Sequence, residues 1–141
     1  MPIVNFHLVD DRFSDKQCQE LLEKSSRLYA EVLESPIERV RAFINTYKPQ
    51  MIAVAGKVIE DTTLAAPYFE FVVLAGRSIE QKHRLLIGFT DLIEETLGVE
   101  RSLIRGGCWP IPPEDWCIGG KIASTLRSGE VMARQPLGDH K

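Results

Sequence analysis

The chain repeats itself, and the repeat limits what it can fold into. Pro2 recurs as Pro67, Arg12 as Arg77, Ser14 as Ser78 and Gln17 as Gln81. Leu21-Leu22 recurs as Leu85-Leu86, Val40-Arg41 as Ile104-Arg105, and Ala55-Gly56 as Gly119-Gly120. The offset is 65 residues up to the arginines and 64 from the serines onward. A period of this length marks a repeated supersecondary unit. In the first copy, Ile3 to Val9 reads as a strand. Ser14 followed by Gln17 is a capping-box signature for a helix start. Apolar or small residues at Cys18, Leu21, Leu22, Ser25, Leu28, Tyr29 and Val32 then follow helical spacing. Ser35-Pro36 predicts the stop, because a residue before proline is pushed out of the helical region. Val40 to Ile44 reads as a second strand and Met51 to Ile59 as an extended or hairpin element. The second copy gives a strand over Tyr68 to Leu74 and a helix opened by Ser78 and Gln81. That helix has an apolar face at Leu85, Leu86, Phe89, Leu92, Ile93 and Leu97, and Gly98 suits its C-cap. A strand holding Leu103 and Ile104 and a Gly/Pro-rich turn before CIGGKIA complete the copy.

Each copy is thus a β-α-β unit, and a helical crossover makes its two strands parallel. One unit offers only two strands and a helix. The pair is therefore expected to share one four-stranded mixed sheet with two helices on one face, an α/β (α+β) architecture. The predicted organisation is a single domain over residues 1–141: repeat 1 (2–59), a linker (60–66), repeat 2 (67–124) and a polar C-terminal tail (125–141). The last residues, QPLGDHK, are expected to fray.

The 141 residues fit one compact domain, and 44% hydrophobic residues suffice for a core. A net charge of -3 argues against nucleic acid or an anionic membrane as the partner, but leaves room for a small anionic ligand held by local arginines. Three cysteines without CxxC spacing do not make a disulfide framework and fit a cytoplasmic, reducing setting. No stretch approaches the roughly 20 apolar residues of a membrane span, and the first residues carry no secretory signal. His7, His83 and His140 lack metal-ligand spacing, and no P-loop, GxSxG or dinucleotide fingerprint is present. No metal and no cofactor are expected.

The MP start, the repeat, and the Arg-x-Ser and Arg-Ser loops (Arg12 to Ser14, Arg77-Ser78) together resemble the tautomerase superfamily, named after 4-oxalocrotonate tautomerase. LAGRSIEQK and WCIGG in the second repeat carry the resemblance furthest. It implies a fused member in which three chains, a homotrimer, make the equivalent of the six repeats of the short members. The activity it implies is keto-enol tautomerisation of a small 2-hydroxydienoate or 2-oxo acid. Related activities are hydration, dehalogenation or decarboxylation of a small unsaturated acid, and a non-catalytic member that keeps the fold is a further alternative.

Pro2 carries the chemistry. Removal of Met1 leaves a secondary amine at the start of a strand. An ordinary α-amino group titrates near 7.7 to 8.0, and burial with nearby arginines lowers that value. Such a base takes a proton from one atom of a conjugated acid and returns it to another. The plain alternative is that Pro2 merely permits Met1 removal. Pro67 occupies the same place, but its nitrogen is an amide with no basic lone pair, so one working site per chain is expected. Arg12 and Arg77 precede helix starts, where a carboxylate is well held. The resemblance assigns the Pro2 site to the second-repeat loop and so to Arg77, with Arg12 equally readable as a solvated loop residue. Arg41 and Arg105 stand in the second strand of each repeat. In the family an arginine there reaches a neighbouring subunit's site, and Arg105 is preferred over Arg41. Trp116 stands where the family places an aromatic wall, whereas Trp109 reads as part of a rigid turn. The dehalogenases' second arginine and water-activating carboxylate are replaced here by Leu74 and Ile118, which disfavours hydrolytic dehalogenation unless Glu114 or Asp115 substitutes.

Overall fold

The computed structural model describes residues 2–126. Met1 and residues 127–141, most of the expected tail, lie outside them. Among the described residues, eight strands and three α-helices run as β1 Ile3–Val9, α1 Asp15–Leu33, β2 Arg41–Tyr47, β3 Ala53–Val54, β4 Lys57–Val58, β5 Tyr68–Leu74, α2 Ile79–Leu97, β6 Arg105–Ile111, β7 Cys117–Ile118, β8 Lys121–Ile122 and α3 Ala123–Leu126. Both capping boxes form. Ser14 and Ser78 accept from the backbone N–H groups of Gln17 and Gln81, whose side chains accept from the serine N–H groups in return. α1 ends one residue earlier than the proline signal implies. Glu34 takes the left-handed conformation there, at φ 51°, where α2 uses Gly98 at φ 67°.

The main sheet has the order β2-β1-β5-β6. The pairs β1/β2 and β5/β6 are parallel, and β1 and β5 are antiparallel in the centre. Its central register opposes Ile3 to Val72, Asn5 to Glu70 and His7 to Tyr68. Asn5 and Glu70 are repeat counterparts, so the pseudo-twofold relating the halves passes between them. Alternation along the strands sends Val4, Phe6, Leu8, Phe69, Phe71 and Val73 to the helix-covered face, all buried. There Phe89 meets Phe6, Tyr29 and Phe71 edge-on at 6.0, 5.3 and 5.1 Å between ring centroids, a favoured aromatic geometry. A smaller cluster of Val9, Ile59 and Ala65 holds the linker down.

Two expectations are corrected. Leu103 and Ile104 are not strand residues: Arg101–Leu103 is a 3-10 turn and Ile104 its cap, so β6 starts at Arg105. Trp109 does not sit in a turn, because Gly106 to Ile111 is the body of β6. The glycine there is dictated by packing rather than by bending. A Cβ on Gly106 would lie within 2.5 Å of three carbons of the Phe69 ring, so the edge strand approaches the core only because that side chain is missing. Gly106→Ala is expected to destabilise the fold by about 1–3 kcal/mol through overpacking, read as a lower urea midpoint at unchanged slope.

Candidate active site at the Pro2 end of the sheet

The antiparallel centre gives the sheet two chemically distinct ends. At one end β1 begins with Pro2, which is buried. Its carbonyl accepts from the backbone N–H of Arg41 at 3.0 Å. β5 finishes at this same end, since Ile3 opposes Val72, and the loop after β5 carries Arg77. α1 also ends here: the Arg77 guanidinium donates to the carbonyl of Leu33, its last residue, at 2.9 Å, and the Gln81 amide donates to Val32 at 3.2 Å. The other end gathers the counterparts. Arg105 N–H donates to Pro67 carbonyl at 3.1 Å, and Gln17 donates to Thr96 near the end of α2 at 3.2 Å. Arg12 breaks the symmetry. Its guanidinium donates to linker carbonyls, those of Leu64 and of Ile59 (3.2 Å to the latter).

These positions sort the candidate residues. Pro2, Arg77 and Arg41 share one end; Arg12, Pro67 and Arg105 share the other. Continuing the register, Pro2 stands beside Val73, which pairs with Pro110. Arg105 is five residues earlier on β6, about 17 Å away along the strands at ~3.3 Å per residue, so it cannot reach Pro2 of its own chain. The guanidinium of Arg105 donates to Ser102 and Ile104 carbonyls (2.7 and 3.1 Å), and that of Arg41 to Glu38 and Val40 (2.9 and 3.2 Å). Both sit exposed at the start of an edge strand. Trp116 follows the turn after β6, which ends at the Pro2 end. Trp116 is half-buried, and its Nε1–H is buried without a hydrogen-bond partner among the described residues.

Tyr29 was legible only as a core residue, yet it underlies this site. Its hydroxyl is shared between the carbonyls of Ile3 (3.2 Å) and Val72, the register pair next to Pro2. Burial pushes its phenol above the usual range, so it stays a neutral donor. Its repeat counterpart is Ile93; a tyrosine against an isoleucine at a buried position was the signal in the sequence. Cys18 and Cys108 are held as thiols, mainly by burial. On the helix-free face His7 bridges Glu70 and Tyr47, both at 2.6 Å, and stacks on Tyr68 at 5.3 Å.

A family model described as Tautomerase enzyme matches residues 2–62. A solved structure described as native fused 4-OT is 24% identical, with TM-score 0.82, over 89% of this chain and 98% of that one. A fused 4-OT described as a wild-type asymmetric trimer is 25% identical, with TM-score 0.79 over the same shares. The protein Pt0534, inactivated by 2-oxo-3-pentynoate, is 21% identical, with TM-score 0.80 and again those shares. No curated protein matches the chain. Residues 2–62 of this chain match the tautomerase family, and the chain has the fold of the fused 4-OT structures. The resemblance read from the Arg-x-Ser and Arg-Ser loops and WCIGG therefore holds, and the tautomerase fold accounts for the mixed sheet with its pseudo-twofold centre. No helix among the described residues is long and apolar enough to cross a membrane.

Within this tautomerase fold, Tyr29→Phe leaves the Ile3 and Val72 carbonyls without their shared donor. It is expected to cost about 1–3 kcal/mol and to speed amide exchange at the start of β1, measured by hydrogen-exchange mass spectrometry.

Proposed function

We propose that the chain is an isomerase that moves a proton within a small 2-hydroxydienoate or 2-oxo acid, with the Pro2 amine, freed by removal of Met1, as general base. The observation that carries this reading is the ending of the sheet: the one proline able to become an amine is buried on a central strand, at the end where Arg77 and Trp116 emerge. The amine lone pair takes the 2-hydroxyl proton as the enol collapses toward the ketone. The resulting ammonium returns that proton to a carbon of the conjugated chain, so the base is regenerated and atoms balance. Arg77, fixed at Leu33, holds the substrate carboxylate. Arg105 of a neighbouring chain stabilises charge on the enol oxygen, and Trp116 walls the pocket. Arg41 lies nearest Pro2 in the same chain and is the alternative to Arg105. The inactivation of Pt0534 by an acetylenic 2-oxo acid supports a nucleophilic site of this kind. The free thiols Cys18, Cys108 and Cys117 fit a cytoplasmic protein.

Treatment with 2-oxo-3-pentynoate is the direct test. One adduct per chain on Pro2, with loss of enol-ketonisation activity, is expected, and Pro67→Ala is expected to retain turnover. A retained Met1, or an adduct elsewhere with activity intact, removes the base assignment. Arg77→Ala is expected chiefly to raise KM, since a carboxylate contact holds substrate and transition state alike. Arg105→Ala is expected to lower kcat by roughly 10²–10³. The reverse pattern, with large losses at Arg41 instead, moves the catalytic arginine to the first repeat.

The reading also requires a homotrimer. The helix-free face exposes Phe43, Tyr47, Tyr68 and Trp109, each between 39 and 50% accessible, and apolar patches of this kind mark interfaces. Relatives described as fused 4-OT trimers point to three copies. Light scattering is expected to give a trimer mass at micromolar concentration, and Trp109→Glu to shift it toward monomer.

A further inference from the structure

The Pro67 end of the sheet encloses a cleft that none of the proposed chemistry uses. Its volume is about 300 Å³, and its lining includes Arg12, Phe13, Leu64, Leu97, Val99 and Leu103. These residues come from the loop after β1, the linker, the end of α2 and the turn before β6. All but the linker are the pseudo-twofold counterparts of segments around Pro2. Arg12 is half-buried there, and its described partners are two neutral carbonyls, those of Leu64 and Ile59. No carboxylate pairs with it among the described residues. A guanidinium held only by neutral carbonyls keeps its charge unpaired and has further N–H donors to offer a carboxylate. The rest of the wall is largely aliphatic and aromatic. Glu100 also lines the cleft, exposed and accepting from the Ser102 hydroxyl at 2.9 Å, and it repels a second negative charge.

We propose that this cleft is a non-catalytic binding site for a small monocarboxylate with an apolar tail, its carboxylate on Arg12 and its chain against Phe13, Leu97 and Leu103. The ligand is held and not converted, because the adjacent Pro67 nitrogen is an amide without a basic lone pair. The site does not depend on the reading of Pro2 as a base: it rests on Arg12, the cleft and the linker alone.

Hexanoate is the probe, titrated into the full-length protein and followed by methyl NMR. Saturable shifts are expected at Leu64, Leu97, Val99 and Leu103. Arg12→Gln is expected to weaken binding at least tenfold and Arg12→Lys by less, and Leu103→Trp, which fills the cleft, to abolish it. Prior reaction with 2-oxo-3-pentynoate is expected to leave these shifts in place. Circular dichroism checks that each variant folds. If Arg12→Gln loses the linker and unfolds, the comparison with hexanol decides instead: hexanol is expected to bind at least tenfold more weakly. The proposal is overturned by shifts confined to Ile3, Leu33 and Ile37 around Pro2, by unchanged binding in folded Arg12→Gln and Leu103→Trp, or by equal binding of hexanol. Loss of the shifts after reaction at Pro2 also overturns it, whereas failure of the reagent to react at all bears on the base at Pro2 and leaves the cleft result standing.

Discussion

The antiparallel pairing of β1 with β5 is the contact on which the rest depends. Each repeat alone is a two-stranded parallel ladder under one helix, too little to bury the phenylalanines it carries. Joined through Ile3–Val72, Asn5–Glu70 and His7–Tyr68, the two ladders make a four-stranded sheet whose one face both helices cover. The same pairing is antiparallel, so it brings the beginning of one repeat to the end of the other's first strand. That is why an arginine from repeat 2 arrives at the proline of repeat 1, and why a single repeat cannot complete such a site.

The pseudo-twofold is broken at two places. Tyr29 ties Ile3 to Val72 near Pro2, while Ile93 at the other end makes no such bond. Arg77 is fastened to the end of α1, whereas Arg12 is fastened to the linker. The linker must pass close to Pro67 to join the repeats, and it packs through Ile59 and Ala65 onto Val9. The covalent link therefore gives Pro67 a neighbouring segment on its amino side that has no counterpart in the first repeat.

Much of this was readable from residues. The capping boxes at Ser14 and Ser78 located both helix starts, because side-chain caps are local and leave a four-residue signature. The strands Ile3 to Val9 and Tyr68 to Leu74 were equally plain. The start of β6 was misplaced because Leu103 and Ile104 are apolar and close a 3-10 turn, a shape that apolar pattern alone does not separate from a strand. GGCWPIPP suggested a turn by composition. Its glycine instead answers a tertiary demand, room for the Phe69 ring, which no local rule contains. The central register and the partners of Tyr29 and Arg12 were hidden for the same reason: they join residues more than 25 positions apart.

The pair at the centre of the sheet has a consequence of its own. In an assembly of identical single repeats, a residue on the twofold meets its own copy, so an acid there would face an acid. Here Asn5 meets Glu70, and His7 reaches across to the same carboxylate. Covalent fusion thus permits unlike residues on the axis, whereas two second halves paired in the same register would set Glu70 against its own copy.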